Sequence, residues 1–433
     1  MNDLSRIFHA SGSETVRRRS RMFGWAIAGH LVIATNLAAS ILAQHIGWVT
    51  PLFAQTVLWT IAPYWLSFML LDNTLHIPPI EGNSIVVIVT LVPFVFLLVF
   101  FAMFHLDYSR GAVLLGYITT LLWVQKGYRR YVEQYVPVYG YTSLADFAQL
   151  QKLLQVAGAR ATQSVCTFRQ LESLDGAVGC DGLLVDRFSA SDPERTRTLA
   201  KLKLSHVRIY SIEKLAELLT GRVGLSHIDD NFLDDYADHY FYSLIKRVID
   251  VASVLVLAPV ALPLSFLVAL AIRLESPGAA IFRQVRAGQD GKPFTMYKFR
   301  SMTTDDNAPA QFAAHSDPRV TRVGRLIRKY RLDELPQLWN VLKGDMSMIG
   351  PRPEQVPMVK RFSDTIPFYP YRHLVRPGLS GWAQVQQGYV SNEEETVTKL
   401  SYDLYYVKHC SLALDLLIGA KTIQTILTGF GAR

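Results

Sequence analysis

The chain has 433 residues, of which 50% are hydrophobic and only 18% are charged, and its formal net charge is +8 at pH 7. Soluble domains contain about 25% charged residues, so this composition disfavours a soluble protein and indicates a membrane protein. The sequence contains no recognisable nucleic-acid-binding module and no basic stripe interleaved with aromatic residues, so we expect no nucleic-acid partner and attribute the charge to anionic lipid and phosphorylated substrates.

The first 130 residues predict a transmembrane block. No Asp, Glu, Lys or Arg occurs in residues 22–71 or 82–106. A membrane-spanning helix needs about 20 mostly apolar residues. We predict spans at 24–44, 53–71 and 84–105, and a shorter one at 110–125. The last of these could instead be a buried helix, because its apolar core is short.

Basic residues flank this block at both ends. They are Arg17, Arg18, Arg19 and Arg21 before the first span, and Lys126, Arg129 and Arg130 after the fourth. Cytoplasmic loops carry an excess of Lys and Arg, which predicts that both ends of a four-span block lie in the cytoplasm.

Residues 141–230 predict a small cytoplasmic α/β module. Residues 180–186 and 206–210 have the apolar character of buried strands, and residues 193–203 have a helical pattern. Ser211 is a candidate cap for a helix that ends near Leu219. Alternation of strands and helices favours a parallel sheet of degenerate Rossmann-like type. The absence of a G-x-G-x-x-G loop favours a structural or regulatory role over dinucleotide binding.

A second apolar run covers residues 251–272 and contains Pro259 and Pro263. Proline removes a helical hydrogen bond, so a break or kink is expected. The run could cross the bilayer as a fifth span, or it could break at Pro263 and re-enter the same leaflet. Residues 282–302 then predict a hairpin with a turn near Asp290, in which Lys298 and Arg300 share one face of a strand.

Residues 324–342 have a helical apolar period, with a discontinuity near Pro336 and an end at Gly344. Within this segment Asp333 and Glu334 are adjacent. Six basic residues surround them: Arg325, Arg328, Lys329, Arg331, Lys343 and Arg352. An acidic pair among cations suggests a site where a metal ion and arginines hold a polyphosphate, and where a carboxylate can attack phosphorus.

Several segments from about Lys246 to the C-terminus together closely resemble the bacterial sugar transferase family, the monotopic polyprenyl-phosphate sugar-1-phosphate transferases. They are KFRSM (298–302), RLDELPQLWNVLKGDMSMIGPRPE (331–354), RPGLSGWAQV (376–385), SYDLYYVKH (401–409) and LALDLLIGAKTIQTIL (412–427). The preceding membrane block and α/β module resemble those of the large members, which are undecaprenyl-phosphate glucose or galactose phosphotransferases.

The resemblance implies a reaction and a location. A UDP-sugar would donate its sugar 1-phosphate to undecaprenyl phosphate, releasing UMP and starting exopolysaccharide, capsule or O-antigen synthesis through a phospho-aspartyl intermediate. The enzyme would lie in the bacterial inner membrane, with its catalytic domain on the cytoplasmic face. Glucose or galactose is the sugar expected from the large members of the family, and N-acetylated and deoxy sugars stay open.

The resemblance also assigns roles to individual residues. Asp333 matches the nucleophile, and Glu334 matches the partner carboxylate that helps to hold Mg²⁺. The basic positions that match phosphate-binding sites are Lys298, Arg300, Arg328 and Arg352. Pro263 matches the proline that breaks the re-entrant helix, although Leu262 stands where many members have Ser. Trp382 is expected either to shape the donor pocket or to anchor at the interface, whereas Tyr402, Tyr405 and Tyr406 are expected to pack.

The predicted fold is therefore a membrane protein of α plus α/β class. It has a four-helix transmembrane block (1–130), a Rossmann-like α/β module (141–230) and an α-rich catalytic domain with a proline-broken re-entrant helix (240–433). The block and the module would offer contact surfaces for a homo-oligomer. Two other functions stay open: a glycosyltransferase that moves only the sugar and releases UDP, and a non-catalytic scaffold or transport component.

Overall fold

A computed structural model describes most of the chain. The described residues are 2–48, 50–74, 82–134, 137–156, 166–185, 193–205, 207–225, 228, 240–302, 319–387 and 393–428. The chain divides into two compact units, Met1–Gly221 and Arg222–Arg433.

The N-terminal unit begins with five helices. They are Asn2–His45, Pro51–Trp59, Ile61–Thr74, Gly82–Met103 and Arg110–Gln134. Three stretches are long and apolar enough to cross a membrane, namely Gly24–His45, Pro51–Leu71 and Ile85–Met103. These agree with the first three predicted spans. The fourth predicted span lies in Arg110–Gln134, which is not among the candidate spans because polar residues such as Gln125 and Lys126 dilute its apolar stretch.

The helix Arg110–Gln134 nevertheless packs closely against the first helix. The rings of Trp25 and Trp123 stack at 4.4 Å. Each indole Nε1 donates to the backbone carbonyl of the other residue, at 3.2 and 3.1 Å. A Cβ on Gly29 would lie 2.3 Å from the Trp123 Nε1, so only glycine allows this approach. Leu114 and Leu122 are exposed, which leaves this helix with an apolar outward surface.

The rest of this unit contains a four-stranded parallel sheet in the order β2-β1-β3-β4. The strands are Val138–Tyr141 (β1), Thr167–Gln170 (β2), Gly182–Leu184 (β3) and Arg208–Tyr210 (β4). The helices are Leu144–Val156, Pro193–Leu204 and Ile212–Thr220. The strands predicted near residues 183 and 208 are confirmed, as is the cap, because the Ser211 Oγ accepts a hydrogen bond from the Lys214 amide at 3.2 Å.

Apolar side chains cover both faces of the sheet. Leu184 lies in one buried cluster with Leu150 and Leu215, and its neighbour Leu183 lies in another with Leu202. Successive strand residues point to opposite faces, so a run of apolar residues on β3 requires helices on both sides. The sequence did not predict β1 or β2, whose short segments contain Gly140 and Arg169 in place of a continuous apolar run.

The C-terminal unit starts with one long helix, Tyr240–Glu275, and this helix is the fourth membrane-span candidate. The helix runs without interruption through Pro259 and Pro263. The structure thus shows no interruption of the helix at Pro263. That the helix re-enters the same leaflet stays a prediction. The strands Ile281–Ala287 (β5) and Pro293–Phe299 (β6) follow as the predicted antiparallel hairpin, with Asp290 in a left-handed turn at φ 55°.

Shorter elements complete this unit. The helices are Arg322–Lys329, Gln337–Lys343, Val356–Thr365, Trp382–Gln386, Glu393–His409 and Leu412–Thr428, with 3₁₀ turns at Leu332–Glu334 and Tyr369–His373. The strands Ser347–Ile349 (β7) and Gly378–Ser380 (β8) pair in parallel. The predicted discontinuity before Pro336 and the helix end at Gly344, which has φ 92°, are confirmed.

The long helix is fastened to these elements at both ends. Near its start, the Arg247 guanidinium donates to the carbonyl oxygens of Val341 and Leu342 at 2.5 and 2.7 Å. Near its end, Val268 and Ile272 pack in a buried cluster with Ile327 of the Arg322–Lys329 helix. These contacts position the helix beside the segment that carries the acidic pair.

Candidate active site

The acidic pair lies on the 3₁₀ turn Leu332–Glu334, between two helices. Arg331 adopts a left-handed conformation at φ 54°, which ends the preceding helix and reverses the chain. Leu332 and Leu335 pack against the buried cluster around Ile327. The apolar residues on either side of Asp333 and Glu334 thus anchor the turn and fix where the two carboxylates lie.

Glu334 is buried and is held by two cations. The Arg352 Nη2 donates to its Oε1 at 2.6 Å, and the Lys298 Nζ lies 4.0 Å from the same oxygen. Burial acts to raise the pKa of this carboxyl, but the charges of Arg352 and Lys298 outweigh burial and lower the pKa below its usual value. Glu334 therefore stays ionised at neutral pH.

Asp333 behaves in the opposite way. Its pKa is raised by burial and by the negative charge of Glu334, and the cations Lys298, Arg352 and Arg328 offset only part of this rise. Two neighbouring carboxylates whose pKa values are pushed apart commonly have different tasks. A carboxylate with a raised pKa is a stronger nucleophile than an ordinary aspartate, whereas Glu334 is suited to holding cations.

The structure brings three of the four predicted basic residues to the acidic pair. Arg352 and Lys298 contact Glu334, and the charge of Arg328 acts on Asp333. Burial and the neighbouring Arg352 lower the pKa of the Lys298 ammonium to about 8, against the pull of Glu334 and Asp333. The site therefore holds a compact group of cations beside two carboxylates, which suits binding of a diphosphate.

Arg300, the fourth predicted basic residue, makes its hydrogen bonds elsewhere. Its Nη1 donates to the Pro277 carbonyl at 2.7 Å, and its Nη2 donates to the carbonyl and the hydroxyl of Ser276, both at 2.8 Å. Strand β6 ends at Phe299, directly before Arg300, and the Arg300 amide donates to the Ala280 carbonyl at 2.8 Å. Arg300 fastens the turn after the long helix, and its predicted role in phosphate binding stays untested.

The magnesium prediction depends on the donor set that the chain offers. Among the described residues, no group of three or more His, Cys, Asp or Glu side chains could hold a metal ion. Mg²⁺ usually takes only one or two protein carboxylates and completes its shell with water and substrate phosphates. Two adjacent carboxylates, one of them held ionised, fit that requirement.

A buried network of charged residues contacts the backbone of Arg352. The Nε and Nη2 of Arg372 donate to the Asp403 Oδ2 at 3.0 and 2.7 Å, and the Nη2 also donates to the Arg352 carbonyl at 2.9 Å. Burial raises the pKa of Asp403, but two hydrogen bonds from a guanidinium that stays protonated keep the two residues as an ion pair.

Glu354 joins this network through Lys399, Arg372 and Arg286. Burial favours its neutral form, yet Lys399 and Arg372 lower the pKa of Glu354 to about 2. The sequence did not single out these residues for the site. The PRPE and SYDLYYVKH segments contain Glu354 and Asp403, and the position of Asp403 inside an apolar helical run is a signal that could have marked it.

The aromatic residues that follow are part of the core. Trp382 is buried, and its ring lies 6.2 Å from that of Tyr405. A buried indole disfavours an anchor at the membrane interface. Tyr402, Tyr405 and Tyr406 are buried as predicted, and the Tyr406 hydroxyl also donates to Asp415 at 2.7 Å.

Known proteins share the sequence that builds this site. The profile described as "Bacterial sugar transferase" matches residues 241–429. A UDP-N-acetylgalactosamine-undecaprenyl-phosphate N-acetylgalactosaminephosphotransferase of Aeromonas hydrophila is 44% identical over 335 residues, which cover 76% of this chain and 76% of the relative.

Two further relatives match a smaller part of the chain. A UDP-glucose:undecaprenyl-phosphate glucose-1-phosphate transferase of Caulobacter vibrioides is 46% identical over 187 residues, or 42% of this chain and 70% of the relative. The Escherichia coli protein of the same name is 40% identical over 190 residues, or 43% of this chain and 40% of the relative. With a relative matched over most of both sequences, the chain belongs to the bacterial sugar transferase family.

Proposed function

We propose that this protein transfers a sugar 1-phosphate from a UDP-sugar to undecaprenyl phosphate, giving undecaprenyl-diphosphate-sugar and UMP, as the first membrane step of polysaccharide synthesis. One structural observation carries the proposal. Asp333 and Glu334 are adjacent carboxylates with oppositely shifted pKa values, and Lys298 and Arg352 lie beside them. A nucleophile for phosphorus and a binding site for the diphosphate are thereby combined.

The reaction proceeds in two displacements. A carboxylate oxygen of Asp333 attacks the sugar-bearing β-phosphorus, and the bond from this phosphorus to the bridging oxygen breaks. UMP leaves with that oxygen, and the sugar phosphate stays on Asp333 as a mixed anhydride. A phosphate oxygen of undecaprenyl phosphate then attacks the same phosphorus and displaces the Asp333 carboxylate, which regenerates the enzyme.

The surrounding residues orient the donor and balance charge. Arg352 and Lys298 hold phosphate oxygens of the donor, and the charge of Arg328 acts on Asp333. Glu334 would help to hold Mg²⁺, which leaves the Asp333 carboxylate to attack phosphorus. When bound, the ion would neutralise the negative charge that develops on the diphosphate.

We propose that the sugar is N-acetylgalactosamine. The relative matched over 76% of both chains carries this sugar in its name, whereas the two glucose relatives match less than half of this chain. Glucose and galactose, the sugars expected from the sequence, are the alternatives to be measured against it.

The membrane arrangement is also a proposal. Helix Arg110–Gln134 supplies the fourth span of the N-terminal block, the module at 141–230 is cytoplasmic and Rossmann-like, and the helix Tyr240–Glu275 bends at Pro263 to re-enter the inner leaflet. Around Pro263 the side chains of Val260, Leu262 and Phe266 are exposed, which suits contact with lipid. This course keeps Asp333 on the cytoplasmic side, where the lipid phosphate and UDP-sugar meet.

Cysteine labelling tests the arrangement. Lys292 lies on the exposed hairpin turn of the C-terminal unit, and Trp48 lies on the exposed loop after the first span. In intact inner-membrane spheroplasts, an impermeant maleimide should label Trp48→Cys and spare Lys292→Cys. The native cysteines Cys166, Cys180 and Cys410 are buried, so background labelling should be low. Labelling of Lys292→Cys from outside would place the C-terminal unit in the periplasm and end the proposal.

The decisive activity experiment identifies the nucleotide product. The full chain in nanodiscs is given undecaprenyl phosphate and each of UDP-N-acetylgalactosamine, UDP-glucose and UDP-galactose. We expect UMP, with the highest rate for UDP-N-acetylgalactosamine. Release of UDP would instead indicate a glycosyltransferase, and full polymer production by a strain carrying only Asp333→Ala would indicate a scaffold.

A further inference from the structure

We propose that Arg372 is a positioning residue for this reaction: held by Asp403, it fixes the backbone of Arg352 and thereby the place where the Arg352 guanidinium meets Glu334. The inference rests on the proposed function, because it assigns Arg372 a task only if Arg352 serves the diphosphate.

The hydrogen bonds of Arg372 distribute its donors over three partners. Nε and Nη2 both donate to the Oδ2 of Asp403, and Nη1 donates to the Tyr369 hydroxyl at 3.0 Å. The other bond from Nη2 goes to the Arg352 carbonyl at 2.9 Å. Arg372 and Asp403 are each only 2% exposed as side chains, so water does not compete for these contacts. The guanidinium is therefore fixed in position and bound to one particular carbonyl.

The chain around Arg352 is stiff enough to transmit this restraint. Arg352 lies between Pro351 and Pro353, whose rings fix their own φ angles and restrict the residue that precedes each of them. Arg286 donates to the Pro353 carbonyl at 3.3 Å, and the Ala287 amide donates to the Glu354 carbonyl at 2.9 Å. The bond from Arg372 to the Arg352 carbonyl adds a restraint on the residue that carries the guanidinium itself.

A buried ion pair is an expensive way to hold a protein together, because desolvation of the two charges offsets their attraction. Apolar residues would stabilise the same volume at least as well. The planar arginine fork, however, can contact Asp403 with two nitrogens and the Arg352 carbonyl at the same time, whereas a lysine ammonium cannot reproduce that geometry. The contact pattern thus indicates that the Arg372–Asp403 pair positions the backbone of Arg352.

A double-mutant cycle on nucleotide release tests the role. Arg372→Lys, Arg352→Lys and the double variant are prepared as full chains in nanodiscs, with the UDP-sugar that the wild type uses best. We expect Arg372→Lys to lower kcat/KM about 10- to 100-fold, the range found when residues supporting a site are replaced. In the Arg352→Lys background the same change should cost less than about twofold, because the group that Arg372 positions has already been lost.

Arg247→Lys is the matched control, because Arg247 is another arginine that donates to two backbone carbonyls, those of Val341 and Leu342. In the double variant with Arg352→Lys, the fold losses of kcat/KM from the two changes should multiply, as expected for independent sites. Losses from Arg372→Lys and Arg352→Lys that also multiply would show that Arg372 supports the fold in general, and would overturn the proposal.

Tyr369→Phe provides a second variant if Arg372→Lys does not fold. It removes one acceptor from Arg372 without changing charge, and its smaller loss of kcat/KM should also vanish in the Arg352→Lys background. Release of UDP by the wild type would overturn the proposed function, but the cycle could still be measured on UDP release. Release of no nucleotide would overturn both the proposed function and the role of Arg372.

Discussion

Two neighbouring clusters of charged residues in the C-terminal unit, one around Asp333 and Glu334 and one around Glu354 and Asp403, contain similar residues in different arrangements. At the acidic pair, burial and the negative charge of Glu334 raise the pKa of Asp333, and of the two carboxylates Glu334 is the one that accepts a hydrogen bond from Arg352. Behind it, Glu354 and Asp403 each lie against at least one buried cation. Asp333, which would react, has no cation hydrogen-bonded to it among the residues that the structure describes, whereas Asp403 and Glu354 are each paired directly with a cation.

The largest expected effect concerns the reactive cluster. Asp333→Asn should lower turnover at least about 1,000-fold, because an amide oxygen is a poor nucleophile for phosphorus. The measurement is UMP release, together with intact-protein mass after exposure to UDP-sugar without lipid acceptor, where the wild type should gain a sugar phosphate and Asp333→Asn should not.

Asp364→Asn is the control for this change, since Asp364 is exposed on the helix Val356–Thr365. It should retain wild-type turnover and the adduct. An adduct that persists in Asp333→Asn would assign the nucleophile to another residue and remove the contrast between the clusters.

The supporting cluster should respond in stability. Glu354→Gln leaves Lys399, Arg372 and Arg286 without their shared carboxylate, and removal of one partner from a buried ion pair costs about 4 kcal/mol. We expect a lower unfolding midpoint in nanodiscs. Asp290→Asn, which breaks an exposed ion pair with Lys292 at 3.6 Å, should leave the midpoint unchanged. Equal midpoints for Glu354→Gln and wild type would mean that the cluster does not hold the unit together.

His373 makes the supporting cluster sensitive to pH. Burial, followed by the charge of Arg372, lowers the pKa of His373 to about 4. The unfolded chain binds a proton below about pH 6.5, and the folded chain does not until about pH 4. Stability is therefore fully present above pH 6.5 and is lost as the pH falls toward 4, by up to about 3 kcal/mol.

Unfolding midpoints measured between pH 7 and pH 4 check this dependence. His373→Gln should show a flatter profile over that window. Glu354, whose folded pKa is about 2, contributes a separate loss only below about pH 4.3, because its depressed pKa makes its stabilisation disappear on further acidification. A wild-type profile that is flat between pH 6.5 and 4 would contradict the buried neutral histidine.

The smallest expected effect separates Arg300 from Arg352. Arg300→Lys loses hydrogen bonds to the Ser276 and Pro277 carbonyls and should cost about 2 kcal/mol of stability, with the KM for UDP-sugar within about twofold of wild type. Arg352→Lys should raise that KM. A large rise in KM for Arg300→Lys would restore the phosphate-binding role that its sequence motif implied.

Local features of the fold were predictable because neighbouring residues decide them. Three apolar runs mark three candidate spans, the turn at Asp290 marks the hairpin, and Gly344 marks a helix end. The strands β1 and β2 were not predictable, because their four-residue segments become strands only by pairing with β3 and with each other.

The sequence by itself determined the acidic pair, its basic neighbours and the family, since these lie in long motifs whose order along the chain is read directly. Only the tertiary structure decided which cations reach Glu334, that Arg300 donates to Pro277, and that Arg372 and Asp403 meet across 31 positions of the chain. The physical reason is that hydrogen bonding and desolvation act between side chains close in space, and spacing along the sequence does not specify that closeness.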